Sequence, residues 1–159
     1  MRPRTFTLLA VTVAVLALML GASAQAEDKQ VGTWKLNVAK SKFSPGPAPK
    51  ESTLKIESQP DGLKFTIDGI DAEGKTTHYE FSPKFDGKDY PATGLSYADT
   101  MSLKRVDVNT IETLAKKDGK PVMTTRSVVS KNGKTRTTTQ KGKNAKGEDV
   151  NNTIVSDRQ

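Results

Sequence analysis

From Val31 onward apolar and polar residues alternate with period two, the mark of strands that bury one face. Glycine-bearing turns interrupt the alternation at nearly regular intervals. Asp61-Gly62, Glu73-Gly74, Asp86-Gly87, Asp118-Gly119, Asn132-Gly133 and Lys146-Gly147 each offer the positive φ that a tight hairpin needs. One gap between these pairs is wide, and Val108-Asn109 falls near its middle. The segments between the turns read as strands. Val31–Val38 sets Trp34 and Leu36 on one face, and Leu54 and Ile56 do the same in the next segment. Leu63, Phe65 and Ile67 follow, then Tyr79 and Phe81 opposite His78 and Glu80. Met101 and Leu103 mark Asp99–Val108, and Ile111 begins a strand to about Lys116. Pro121–Lys131 carries Val122 and Val128 on one face, Met123 and Val129 on the other. Thr135, Thr137 and Thr139 alternate with Arg136, Thr138 and Gln140, and Asp149–Arg158 aligns Val150 with Ile154.

No segment repeats its apolar positions every 3.6 residues over two turns. The chain is therefore predicted to be all-β, an antiparallel up-and-down meander of about 8–10 strands. A single layer of that length must bury one face and protect two edges, and closure into a barrel does both. Two stretches fall outside the alternation. Ala39–Lys50 is kept extended by Pro45, Pro47 and Pro49, and Phe85–Tyr97 reads as irregular around Tyr90-Pro91. Loops of this size at a barrel mouth are where binding usually resides.

The first 26 residues stand apart. Arg2 and Arg4 precede an uncharged run from Phe6 to Leu20, and Ala24-Gln25-Ala26 supplies the small-x-small pattern of a cleavage site. A cleavable export signal over residues 1–26 is expected, leaving one domain over 27–159 in the periplasm or secreted, with no membrane span after cleavage. The chain has no cysteine, which removes disulfides, thiol nucleophiles and thiolate metal sites from consideration. Its net charge is +7, of which the leader holds two arginines. For an exported protein such a balance points to anionic envelope surfaces rather than nucleic acid, or simply to solubility.

Val31-Gly32-Thr33-Trp34-Lys35-Leu36 resembles the G-x-W first strand of the calycins, the lipocalins and fatty-acid-binding proteins. Phe85–Tyr97, Ser102-Leu103-Lys104-Arg105-Val106, Val129–Lys134 and Asn151-Asn152-Thr153 together resemble exported, lipocalin-like bacterial proteins, a likeness that implies no activity. The calycin resemblance implies a barrel closed at one end by Trp34 beneath an arginine of the last strand, here Arg158. The likeness to the fatty-acid-binding proteins in particular implies a helical lid between the first two strands and an Arg-x-Tyr carboxylate clamp on the last, and this chain departs from both. The prolines of Ala39–Lys50 forbid the lid, and Ile154 and Ser156 stand at the clamp positions.

Candidate chemistry is sparse. His78 is the only histidine and faces opposite the expected core, so it reads as a solvent-facing sheet residue. No calcium loop, phosphate-binding glycine loop or nucleophile elbow is present, and the chain is expected not to be an enzyme and to use no cofactor or metal. Lys131, Lys134, Arg136, Lys141, Lys143 and Lys146 form a basic hairpin, either a patch for an anionic envelope surface or an edge guarded by lysines. No aromatic residue interleaves them, so base stacking is not expected there. The threonine stripe makes the interior partly polar if it points inward, and is only a good strand former if it points out. The leading expectation is a barrel that binds a small, largely apolar molecule through Phe65, Tyr79, Phe81, Tyr90, Tyr97, Met101 and Leu103. The alternative is a filled barrel acting as an interaction module through its basic hairpin.

Overall fold

The computed structural model describes residues 28–159, and the leader expected over 1–26 lies outside them. Ten strands follow in chain order: β1 Gly32–Leu36, β2 Glu51–Gln59, β3 Gly62–Ile70, β4 Thr76–Phe81, β5 Tyr90–Thr93, β6 Thr100–Asp107, β7 Thr110–Lys117, β8 Lys120–Val129, β9 Thr135–Lys143 and β10 Asp149–Arg158. Each pairs antiparallel with the next, and β10 returns to β1, so the meander closes and leaves no free edge. This is the all-β barrel that the alternation and the calycin resemblance imply.

The sequence reading is corrected at three places. The first strand ends at Leu36, not Val38, because the Asn37 side chain accepts the Lys40 N–H at 3.1 Å and starts a 3₁₀ turn at Val38–Lys40. Within Phe85–Tyr97, read as irregular, Tyr90–Thr93 forms β5. Pro91 hid it, since a proline argues against a paired strand. The strand is a short strap, with two residue pairs to β4 and two to β6. Glycine also serves two purposes at the corners. Asp118 and Gly119 both take positive φ, 49° and 74°, as a two-residue hairpin of the primed type requires. At the β2–β3 corner Asp61 takes the left-handed φ of 62°, whereas Gly62 is needed because a Cβ there would run into the backbone of Pro83.

Successive hairpins alternate between the two ends of the barrel. The N-terminal segment, the β2–β3, β6–β7 and β8–β9 turns and the chain terminus gather at one end. Ala39–Lys50 and the β3–β4, β7–β8 and β9–β10 turns form the other. The buried core sits toward the first end, where Ile56, Leu63, Leu103, Ile111 and Val129 surround Trp34, each almost without exposure. Full burial of such side chains stabilises by about 1.5–3 kcal/mol each. Phe65 and Phe81, on neighbouring strands, stack with ring centroids 4.6 Å apart.

Candidate functional site

The closed end is tied together by arginine. Arg158 lies over the Trp34 ring at 4.2 Å and donates to the carbonyls of Gly133 (2.6 Å), Val31 (2.7 Å) and Lys29 (2.7 Å). The register that pairs Trp34 with Arg158 across β1 and β10 brings them together. The Trp34 indole N–H donates to the Gln30 carbonyl at 2.9 Å, so the residues before β1 fold under the barrel.

Above this floor is a cavity of about 300 Å³ that reaches the opposite end between Phe43 and Pro49. Its two walls differ. The wall from β1 to β4 is mainly apolar, with Trp34, Leu54, Phe65, Ile67, Tyr79 and Phe81 around one serine, Ser52. Leu95, Tyr97 and Met101 continue it through the segment after β5 and into β6. The wall from β7 to β10 is mainly polar: Thr113, Thr125, Ser127, Arg136, Thr138, Gln140 and Ser156 outnumber one aliphatic, Ile154.

Arg136 dominates the polar wall. It is buried inside the barrel, where Nε donates to Gln30 Oε1 at 3.2 Å and Nη1 to Thr138 Oγ1 at 2.9 Å. Thr138 shares a hydroxyl hydrogen bond of 3.1 Å with Ser127 on β8. Among the described residues no carboxylate lies within ion-pair distance of this guanidinium. Burial lowers its pKa to about 10, so it remains a cation at neutral pH. A buried charge without a counter-ion is costly, and an anion or strong acceptor entering the cavity would offset that cost. On the other wall, burial and the neighbouring Tyr79 push the Tyr97 phenol up to about 12.

Arg136 was expected in the surface patch, and the structure corrects this. The β8–β9 register pairs Val129 with Arg136, and paired residues share a face, so the apolar Val129 carries Arg136 inward. Thr138 and Gln140 follow it in, which leaves Thr137 exposed and Thr135 and Thr139 on the outer face. The other five cations do not form one surface either. Lys131 and Lys134 lie at the closed end, whereas Lys141, Lys143 and Lys146 lie at the open one, where Lys143 binds Asp149 at 2.8 Å. Nine strand positions separate Lys134 from Lys143, roughly 30 Å.

Of the residues expected to touch a ligand, Phe65, Tyr79, Phe81, Tyr97 and Met101 line the cavity. Tyr90 does not, because its hydroxyl donates to Asp86 at 2.8 Å in the preceding turn. Leu103 is core packing and contributes no cavity wall. His78 lies on the outside of the barrel, exposed, with Nδ1 2.6 Å from Asp68 Oδ1 on the paired strand. Sequence reasoning missed Gln30, Arg136, Ser127 and Thr138 as interior residues. The Val129–Arg136 pairing across the Asn132-Gly133 turn is the signal for Arg136, Ser127 and Thr138, whereas Gln30 lies outside the strands and carries none.

No family model matches this chain, and no curated protein matches it. Among solved structures it is similar to a zebrafish ileal bile acid-binding protein complexed with cholic acid, at 9% identity over 82% of this chain and 98% of that one, with a TM-score of 0.46.

Proposed function

We propose that this chain is an exported, non-enzymatic binding protein that takes a small amphipathic molecule into its barrel. The observation that carries this reading is Arg136, a buried cation without a carboxylate, set in the wall of an otherwise largely apolar cavity. The apolar body of the ligand packs on Phe65, Phe81 and Ile67, and its anionic or acceptor group meets the guanidinium. The volume lies at the lower end of the roughly 300–1,000 Å³ usual for small-molecule sites. Binding needs no covalent step, since displacement of water and pairing of the buried charge supply the free energy.

Native mass spectrometry of the mature protein from its own compartment, followed by organic extraction, tests this directly. A co-purifying molecule with an acidic or strongly accepting group supports the reading. A clean apo mass, with no change in Trp34 emission across a panel of charged and neutral amphiphiles, overturns it. In the same preparation an intact mass beginning at Glu27 supports export with cleavage after Ala26. A mass that retains the leader argues against it. The alternative of a filled barrel presenting one basic face draws less support, because a cavity is present and the hairpin cations divide between two ends.

A further inference from the structure

The four residues before β1 are tied to the barrel by side chains of several strands. Asp28 pairs with Arg105 of β6, the carbonyls of Lys29 and Val31 accept from Arg158 of β10, and Gln30 accepts from Arg136 of β9. Arginines from three strands thus converge on one short segment, and that segment delivers a single fully buried side chain, Gln30, to the closed end, where it meets Arg136 of the cavity wall.

The orientation of the Gln30 carboxamide is fixed by chemistry. Its Nε2 lies 2.8 Å from the Asn109 carbonyl, which can only accept, and its Oε1 faces the Arg136 Nε, which can only donate. A flipped amide would oppose like groups on both sides. Gln30 therefore holds one edge of the guanidinium without neutralising it. Thr138 takes Nη1, and Nη2 makes no hydrogen bond among the described residues. An acid at position 30 would have satisfied the same edge and cancelled the charge.

We infer that Gln30 is the residue that sets the preference of the barrel for anionic over neutral ligands, by positioning Arg136 through an uncharged contact. This rests on the proposed interior site and identifies its specificity determinant. The segment before β1 acts on the binding site through Arg136, and the neutrality of one amide leaves the positive charge for the ligand.

Two fluorescent probes with a shared aromatic body test this on the full mature chain: anionic anilinonaphthalene sulfonate and uncharged phenylnaphthylamine. The wild type should bind both and favour the anion. Gln30→Glu should weaken the anionic probe by about tenfold or more, while the neutral probe changes by less than about twofold. Gln30→Met keeps the volume but loses the acceptor, and should weaken the anionic probe by about threefold with the neutral probe again unmoved. If Gln30→Glu does not fold, Gln30→Met decides. An unchanged ratio of the two affinities in the folded variants overturns the inference and leaves the interior site standing. A wild type that binds neither probe overturns the interior site, and the inference with it.

Discussion

The two walls of the cavity are made by the same device, a strand with every second residue pointing inward, yet they do different work. The β1–β4 wall turns aromatic and aliphatic side chains inward, so the residues that fold the barrel are also those a ligand would touch. The β7–β10 wall turns hydroxyls, an amide and a guanidinium inward, and these contribute little to collapse. The barrel can tolerate this asymmetry because β7, β8 and β10 still bury Ile111, Ala115, Met123, Val129 and Val150 away from this cavity. The cavity-facing positions of that side are then free to carry chemistry: Ser127, Thr138, Arg136 and Gln30 are joined by hydrogen bonds, and Arg136 Nη2 is left without a partner among the described residues.

Breaking the apolar wall should cost the most. Phe65→Ala removes a nearly fully buried ring and its stack on Phe81, and should lower unfolding free energy by about 3–5 kcal/mol in a denaturant titration. On the polar wall, Arg136→Met should reverse that balance. Stability should change by less than about 1 kcal/mol, since loss of an unpaired buried charge offsets the lost hydrogen bonds. The anionic probe should then weaken by about tenfold to a hundredfold, or about 1.4–2.7 kcal/mol, with the neutral probe retained. If Arg136→Met instead destabilised as much as Phe65→Ala, the division of labour between the walls would be wrong.

The walls should also separate in alkali. The Tyr97 phenol titrates near 12 in the folded protein against an ordinary value of 10.0, so above pH 10 the unfolded chain releases a proton that the folded one keeps. Stability from this group is intact below pH 10 and drains between 10 and 12. Arg136, lowered to about 10, acts in the opposite sense, and its contribution to stability rises through that window while anion affinity falls. Tyr97→Phe should therefore flatten the loss of stability between pH 10 and 12, followed by circular dichroism at fixed denaturant. The smallest effect is expected at the hydroxyl pair. Ser127→Ala leaves Thr138 with its bond to Arg136, and should cost about 1 kcal/mol by denaturant titration with less than a threefold change in anion affinity.

The same asymmetry explains what could be read from the sequence. Trp34, Phe65, Tyr79, Phe81 and Met101 declare an inward face by being apolar at period two, and the barrel and half of its cavity follow from them. Polar side chains give no such sign. In Thr135–Gln140 both faces are hydrophilic, so the alternation has no preferred phase, and Arg136 reads as one more surface cation until its pairing with Val129 is known. Gln30 was illegible for another reason. It belongs to no strand, and only the closed floor shows that it is buried. Tyr90 and Leu103 erred in the other direction, since an inward or aromatic residue can serve a turn or the core without reaching the cavity.

The strap β5 gives the barrel one thin stave. It is laced to each neighbour by two residue pairs, whereas β9 and β10 share nine. A hoop under thermal strain parts where its lacing is shortest, so this seam should exchange its amide hydrogens sooner than the rest of the wall. It adjoins the apolar wall, and the segment that follows it contributes Leu95 and Tyr97 to the cavity. A brief loosening there would uncover the greasy side of the interior first, while Arg136 stays enclosed on β9 among strands with long ladders. A molecule arriving through the seam would meet apolar surface before charge and would be oriented by the time its polar end reached the guanidinium.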